Sequence, residues 1–283
     1  MRILTDFDGV WTDQADEARF IQSWLARAVA PIIGATPEAA LDDFDAFFEA
    51  AMKVPGEVGW APDGRVTGFI DEDLLLSTGS VFYWLAQGGE HPRADLWRDS
   101  IQRAGHASIE QFASDQFGPA MMTFRDEHAH AVVKEAKSVV DRWLAAGHRI
   151  AFVSNSNSVK LAGMLGDAEI VAGERIEVIG GACKWLIGKD EPRPTVGGRH
   201  VYMDRPRYRE ILERFRPDMV IGDVASFDLA LPAFMRSRGE LGSDLRLVLR
   251  RNENSSKWAL AEPASREAIR LVDEVVDSVN ELP

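Results

Sequence analysis

Ile3-Leu4-Thr5-Asp6-Phe7-Asp8-Gly9-Val10-Trp11-Thr12-Asp13 is the stretch that decides how this chain is read. A short apolar run reads as the end of a buried strand, and it delivers two carboxylates, one residue apart, into a loop opened by Gly9. Taking a charge out of water is costly unless it is paired or bound to metal, so Asp6 and Asp8 point to a cation, a basic partner or chemistry. The plainer alternative is an Asp-rich turn behind a strand.

The rest of the chain bounds that choice. Its 283 residues are 46% hydrophobic and 27% charged, ordinary values for a folded soluble protein with one large domain or two smaller ones. A formal charge of -13 argues against a nucleic-acid backbone as the main partner, because such a surface repels phosphates. A small anionic substrate would need a local cation. Cys183 is the only cysteine, which excludes an internal disulfide and a cysteine-rich zinc site and fits a reducing cytoplasm. The N-terminus enters an apolar strand at once, so no signal peptide is expected, and no apolar run approaches membrane-spanning length.

After Asp13 the spacing becomes helical. Phe20, Ile21, Trp24, Leu25, Ala28 and Val29 recur every three or four residues, with Pro31 and Gly34 ending that helix and Thr36-Pro37-Glu38 starting the next. Val58 to Phe69 flanks a Pro-Asp-Gly turn and predicts a hairpin or an ordered loop. Helices are expected over 73–86 and about 94–117, with Trp84 and Trp97 in the core. One long helix is expected from Asp126 to Ala146, stopped by Gly147, with His128 and His130 solvated at its start. Arg149–Val153 predicts a second buried strand ending in Ser154-Asn155, and Glu174 to His200 reads as short strands and turns. Pro206 begins a helix, Met219–Ile221 is a third strand running into Gly222-Asp223, and Leu245–Leu249 is a fourth. A loop around Asn252-Glu253-Asn254 and a final helix from Ser265 to Val279 complete the chain. Strands alternating with helices imply an α/β fold with a Rossmann-like parallel sheet, whose ligands bind beyond the carboxyl ends of the strands. Three such ends carry Asp6/Asp8, Ser154/Asn155 and Asp223/Asp228.

Asp-x-Asp-Gly-Val at the first strand, a hydrophobic run ending in Ser-Asn, a basic residue at a later helix start, and Gly-Asp-x-x-x-x-Asp after another strand together resemble the haloacid dehalogenase (HAD) superfamily. The resemblance covers residues 1–13 and about 147–251. It implies a HAD-like catalytic core from 1–13 and 126–283 and an inserted, mostly helical C1-type cap over 14–125, whose closure would exclude water. It further implies a Mg²⁺-dependent phosphatase acting on a small phosphorylated metabolite. Asp6 would be the nucleophile and Asp8 the general acid and base. Mg²⁺ would be held by Asp6, the Asp8 carbonyl and Asp223, with Asp228 completing or supporting the acidic shell. Gly9, Ser154 and Asn155 would contact phosphate. Arg205, just before Pro206 at a helix start, is the favoured basic residue, with Lys184, Lys189 and Arg207 as competitors. Asp8 favours phosphoryl chemistry over dehalogenation, since a halide leaving group needs no proton. A phosphomutase of the same fold, or a non-catalytic ligand- or partner-binding protein, are the alternatives.

Overall fold

The computed structural model describes residues 1–128, 132–189, 192–252, 255, 257–261 and 268–282. Two compact units emerge, Met1–Asp13 with His130–Pro283, and Gln14–Ala129. Strand β1 (Arg2–Thr5) opens the first and is buried from Ile3 onward.

The second unit contains α1 (Ala15–Ile33), α2 (Pro37–Ala51), the two short strands β2 (Gly59–Trp60) and β3 (Gly68–Phe69), then α3 (Leu74–Ala86), α4 (Ala94–Arg103) and α5 (Ile109–Glu127). Helices α2, α3 and α5 start where short polar side chains accept the first free N–H groups: Thr36 from Ala39, Asp73 from Leu76 and Ser108 from Gln111. β2 and β3 pair antiparallel around the Pro-Asp-Gly turn, as the sequence predicts. Inside, Phe44, Phe47, Phe82, Trp97 and Phe112 form an aromatic core, with Phe47 and Trp97 edge to face at 5.2 Å. Trp97 keeps its one polar atom satisfied by donating Nε1 to Asp43, which also receives Arg93. Trp84 packs against this core while partly exposed.

The chain then returns to the first unit with α6 (Ala136–Ala145), β4 (Arg149–Val153), α7 (Ser158–Asp167), β5 (Ile176–Ile179), a small hairpin of β6 (Thr195–Val196) and β7 (Arg199–His200), α8 (Pro206–Phe215), β8 (Met219–Gly222), α9 (Ala230–Ser237), β9 (Arg246–Arg250) and β10 (Glu274–Val276). The main sheet runs β10-β9-β8-β1-β4-β5, and every pairing in it is parallel. This is the Rossmann-like α/β architecture with a mostly helical insertion that the alternating pattern implies. β1 is interior, so the chain just beyond Thr5 opens between the ends of β4 and β8. Trp11, Trp143 and Phe152 pack edge-on beneath that opening.

Four expectations about elements need correction. The helix expected over 126–146 is two elements: α5 ends at Glu127, and α6 begins at Ala136. Between them Val133 donates its N–H to the Trp11 carbonyl and Val132 bridges Thr12, so the β-branched pair bonds the loop after β1 instead of continuing a helix. His128 stacks on Phe124 at 4.6 Å, while His130 lies outside the described residues. The pattern over 94–117 is likewise split, because Gly105 at φ 97 stops α4 and Ser108 restarts the chain as α5. Pro31 does not end α1 but sits within its last turns; Gly34, at φ 68, ends it. The helix expected from Ser265 to Val279 is contradicted over its described part. Glu274–Val276 is a strand beside β9, held by Asp273, which accepts the Leu247 N–H and returns its own N–H to the Leu247 carbonyl. Its valines suit a strand as well as a helix stripe. Residues 265–267, and Glu253 and Asn254 of the expected loop, lie outside the described residues. Among the described residues no helix is long and apolar enough to cross a membrane.

Candidate active site

Asp6 follows β1 directly and stays registered to the sheet, its N–H donating to the Ile221 carbonyl at 2.8 Å. Three residues on, Gly9 turns the chain at φ 78, and a Cβ there would lie 2.0 Å from Asp223 Oδ2. Only glycine permits both that backbone conformation and that approach. Asp223 comes from the end of β8, and the wide π-helical turn Ala225–Leu229 behind it brings Asp228 back toward the same point. Carboxylate oxygens of Asp6, Asp223 and Asp228 lie within 4.8 Å of one another, and all three residues are buried.

A lysine offsets part of this charge. Lys184 Nζ donates to Asp6 Oδ1 at 2.5 Å and to Asp228 Oδ1 at 2.8 Å, and only 1% of the residue is exposed. Asp228 uses its other oxygen to accept the Val224 N–H. Burial opposes the lysine's charge, but Asp228 and Asp6 hold its pKa above the ordinary value. Burial raises Asp6 to about 8; Lys184 opposes the rise, and the Asp228 and Asp8 carboxylates add to it. Three buried acids gathered within 4.8 Å, with Lys184 paired to only two of them, suit a hard divalent cation held by oxygen donors. Asp6 and Asp223, with Asp228 in support, therefore fit Mg²⁺ by donor type and by charge.

Asp8 belongs to a second cluster. Its Oδ2 accepts from Ser154 Oγ at 2.6 Å and Ser156 Oγ at 3.2 Å, while Lys160 Nζ lies 3.7 Å from Oδ1. Ser154 directly follows β4, and Asn157 caps α7 shortly afterwards by accepting the Lys160 N–H. The acid is thus held by groups other than those around Asp6.

The structure brings Asp6, Asp223 and Asp228 together and joins Asp8 to Ser154. Asn155, expected at phosphate, directs its Oδ1 to the N–H of Lys184 at 2.8 Å. Arg205 must be corrected as the basic residue beside Asp6: Lys184 occupies that position. Arg205 is fully buried, donates Nη1 to the Lys184 carbonyl and lies over the Phe227 ring. The sequence reading tied the cation to a helix start, whereas Lys184 sits in a loop reached through Cys183 at φ 47. Lys189 and Arg207 are exposed. Lys160, Ser156, Asn252 and Tyr208 were not foreseen. Asn252 Nδ2 reaches Asp223 Oδ2 at 3.4 Å, and Tyr208 donates to the Asp228 carbonyl while its ring lies 5.4 Å from Lys184 Nζ. Nothing in the sequence distinguished Tyr208 from the other residues of α8, or Lys160 from a surface lysine.

Fold and site together define a parallel α/β protein with acids and a lysine gathered beyond the carboxyl ends of its strands. Among solved structures, the chain is similar to a 2-haloacid dehalogenase from Pseudomonas syringae (16% identity, covering 100% of this chain and 96% of that one, TM-score 0.43). It is similar also to CbbY from Rhodobacter sphaeroides, solved with phosphate (14%, 99% and 95%, TM-score 0.44), and to a HAD phosphatase from Thermococcus onnurineus (10%, 99% and 95%, TM-score 0.46). No protein-family model and no curated protein sequence matches the chain.

Proposed function

We propose that the protein is a Mg²⁺-dependent phosphomonoester hydrolase that works through an aspartyl-phosphate on Asp6 and takes a small phosphorylated metabolite. The observation that carries this reading is the buried Lys184 bridging Asp6 and Asp228 beside Asp223, with Asp8 held separately on Ser154 and Ser156. One acid is set among metal-type donors and a cation, and its neighbour is left able to move a proton.

In this mechanism an Asp6 carboxylate oxygen attacks phosphorus while the bond to the leaving oxygen breaks, and Asp8 gives that oxygen its proton. Asp8, now a carboxylate, takes a proton from water as the water oxygen attacks phosphorus, and the bond to Asp6 breaks to release phosphate. Lys184 offsets charge on Asp6 and the phosphoryl oxygens throughout. Ser154, whose hydroxyl already donates to a carboxylate, is suited to donate to a phosphoryl oxygen. Mg²⁺, when bound through Asp6, the Asp8 carbonyl and Asp223, supplies electrostatic stabilisation of the transferring group. The lone cysteine is compatible with a reducing cytoplasm as the setting.

The test is a phosphatase screen over sugar phosphates, nucleotides and small phosphoesters, with and without Mg²⁺. Turnover that requires the metal and falls by about 10²–10⁴-fold in Asp8→Asn, with Mg²⁺ affinity retained, is the expected result. No turnover of any member would overturn the reading in favour of a binding protein. Transfer between positions of a bisphosphorylated sugar would instead identify a mutase.

A further inference from the structure

Arg205 is a fully buried guanidinium that donates Nη1 to the Lys184 carbonyl and lies over the Phe227 ring. The loop it touches explains that position. Lys184 leaves the sheet after β5 and passes through Gly181 and Cys183, both at positive φ, and α8 begins only after a further excursion that includes the β6–β7 hairpin. Lys184 therefore lacks the support of a helix of its own. Its main chain is fixed from two sides: Asn155 accepts the N–H, and Arg205, 21 residues further on, donates to the carbonyl. The guanidinium is itself located by Phe227, one residue before Asp228, which receives the lysine's Nζ.

We propose that Arg205 is a positioning residue for Lys184, holding the carbonyl of its loop so that Nζ meets Asp6 and Asp228. This rests on the reading of Lys184 as the cation of a phosphoryl-transfer site. Arg205 does not touch the reacting atoms; it acts by preventing the lysine's backbone from shifting. Displacing a catalytic group by about 1 Å can cost about 10²-fold in rate.

The test compares Arg205→Met, which keeps an apolar chain over Phe227 and loses the donors, with Arg205→Lys, which restores one. With a substrate found by the phosphatase screen, kcat of Arg205→Met falls about 10–10²-fold, KM changes less than about 3-fold, and Arg205→Lys recovers part of the loss. A readout independent of turnover is the rate at which trinitrobenzenesulfonate labels Lys184, resolved by peptide mass spectrometry against exposed Lys189. Labelling of Lys184 rises about tenfold in Arg205→Met and stays low in Arg93→Met, a control in the helical unit. Should Arg205→Met fail to fold, Arg205→Gln takes its place with the same readouts. Wild-type kcat together with unchanged Lys184 labelling would overturn the proposal. If the wild type hydrolyses nothing, the phosphatase reading fails, and the labelling still decides where Arg205 holds Lys184.

Discussion

In the helical unit the largest fully buried side chains are the rings of Phe47, Phe82, Trp97 and Phe112, whereas the sheet unit also buries Lys184, Arg205, Asp223 and Asp228. The first set gains stability from leaving water, and each ring contributes on its own account. The second set resists leaving water, and each member is tolerable only because another is present. Removing a ring therefore costs packing and little else. Removing a charge disturbs chemistry, and its effect on stability depends on which sign is left over.

The sharpest way to test that contrast is Asp6→Asn. Under the proposed mechanism turnover falls by at least about 10³-fold, because that mechanism needs the Asp6 oxygen to attack, while the melting temperature holds or rises as one of three crowded acids is replaced by a neutral group. A large fall in stability would show that the acids are needed for folding. Lys184→Met reverses the sign: it leaves acids without their ammonium, so unfolding in urea at neutral pH should show a loss of about 3–5 kcal/mol. Turnover should fall about 10²–10³-fold as well. Phe47→Ala, in the other core, should cost about 3–5 kcal/mol in the same denaturation experiment, through a cavity beside Trp97 and His91. Mg²⁺ binding, followed by calorimetry, should remain intact there.

How much of this contrast was legible in the sequence follows from the same physics. Apolar periodicity found the helices and the strands because packing repeats, and the acids at strand ends stood out because buried charge is rare. Lys184 did not stand out, since its placement depends on a loop turned by Cys183 and fixed from Asn155 and Arg205, contacts that no local spacing encodes. The strand Glu274–Val276 was misread for a related reason: Val275 and Val276 fit either period, and only pairing with β9 decides between them.

Smaller effects should mark groups outside both cores. Thr36→Ala removes the cap of α2 and should lower stability by about 1 kcal/mol, measurable by urea denaturation. Burial alone would raise Asp218, but hydrogen bonds from the Arg2 N–H and guanidinium bring it below the ordinary 3.8. Because its folded pKa is depressed, its contribution is present above the unfolded value and fades as the pH falls through the folded one. The difference in melting temperature between wild type and Asp218→Asn should thus be small, present at pH 6, and shrink below pH of about 4. A difference that grows with acid would show that Arg2 does not lower the Asp218 pKa.

During synthesis the strand bearing Asp6 emerges before everything it pairs with, for Arg2 lies opposite Arg149 and Ile3 opposite Met219. All of Gln14–Ala129 is translated in the interval, and it has its own apolar core, so it can condense while β1 is still an unpaired strand. Asp6 and Asp8 are thus made well before the residues that they meet in the folded sheet unit. A nascent chain halted before Met219 would carry the helical unit complete while Asp6 still lacked Asp223 and Asp228, and the acid cluster forms only when β8 closes the sheet beside β1.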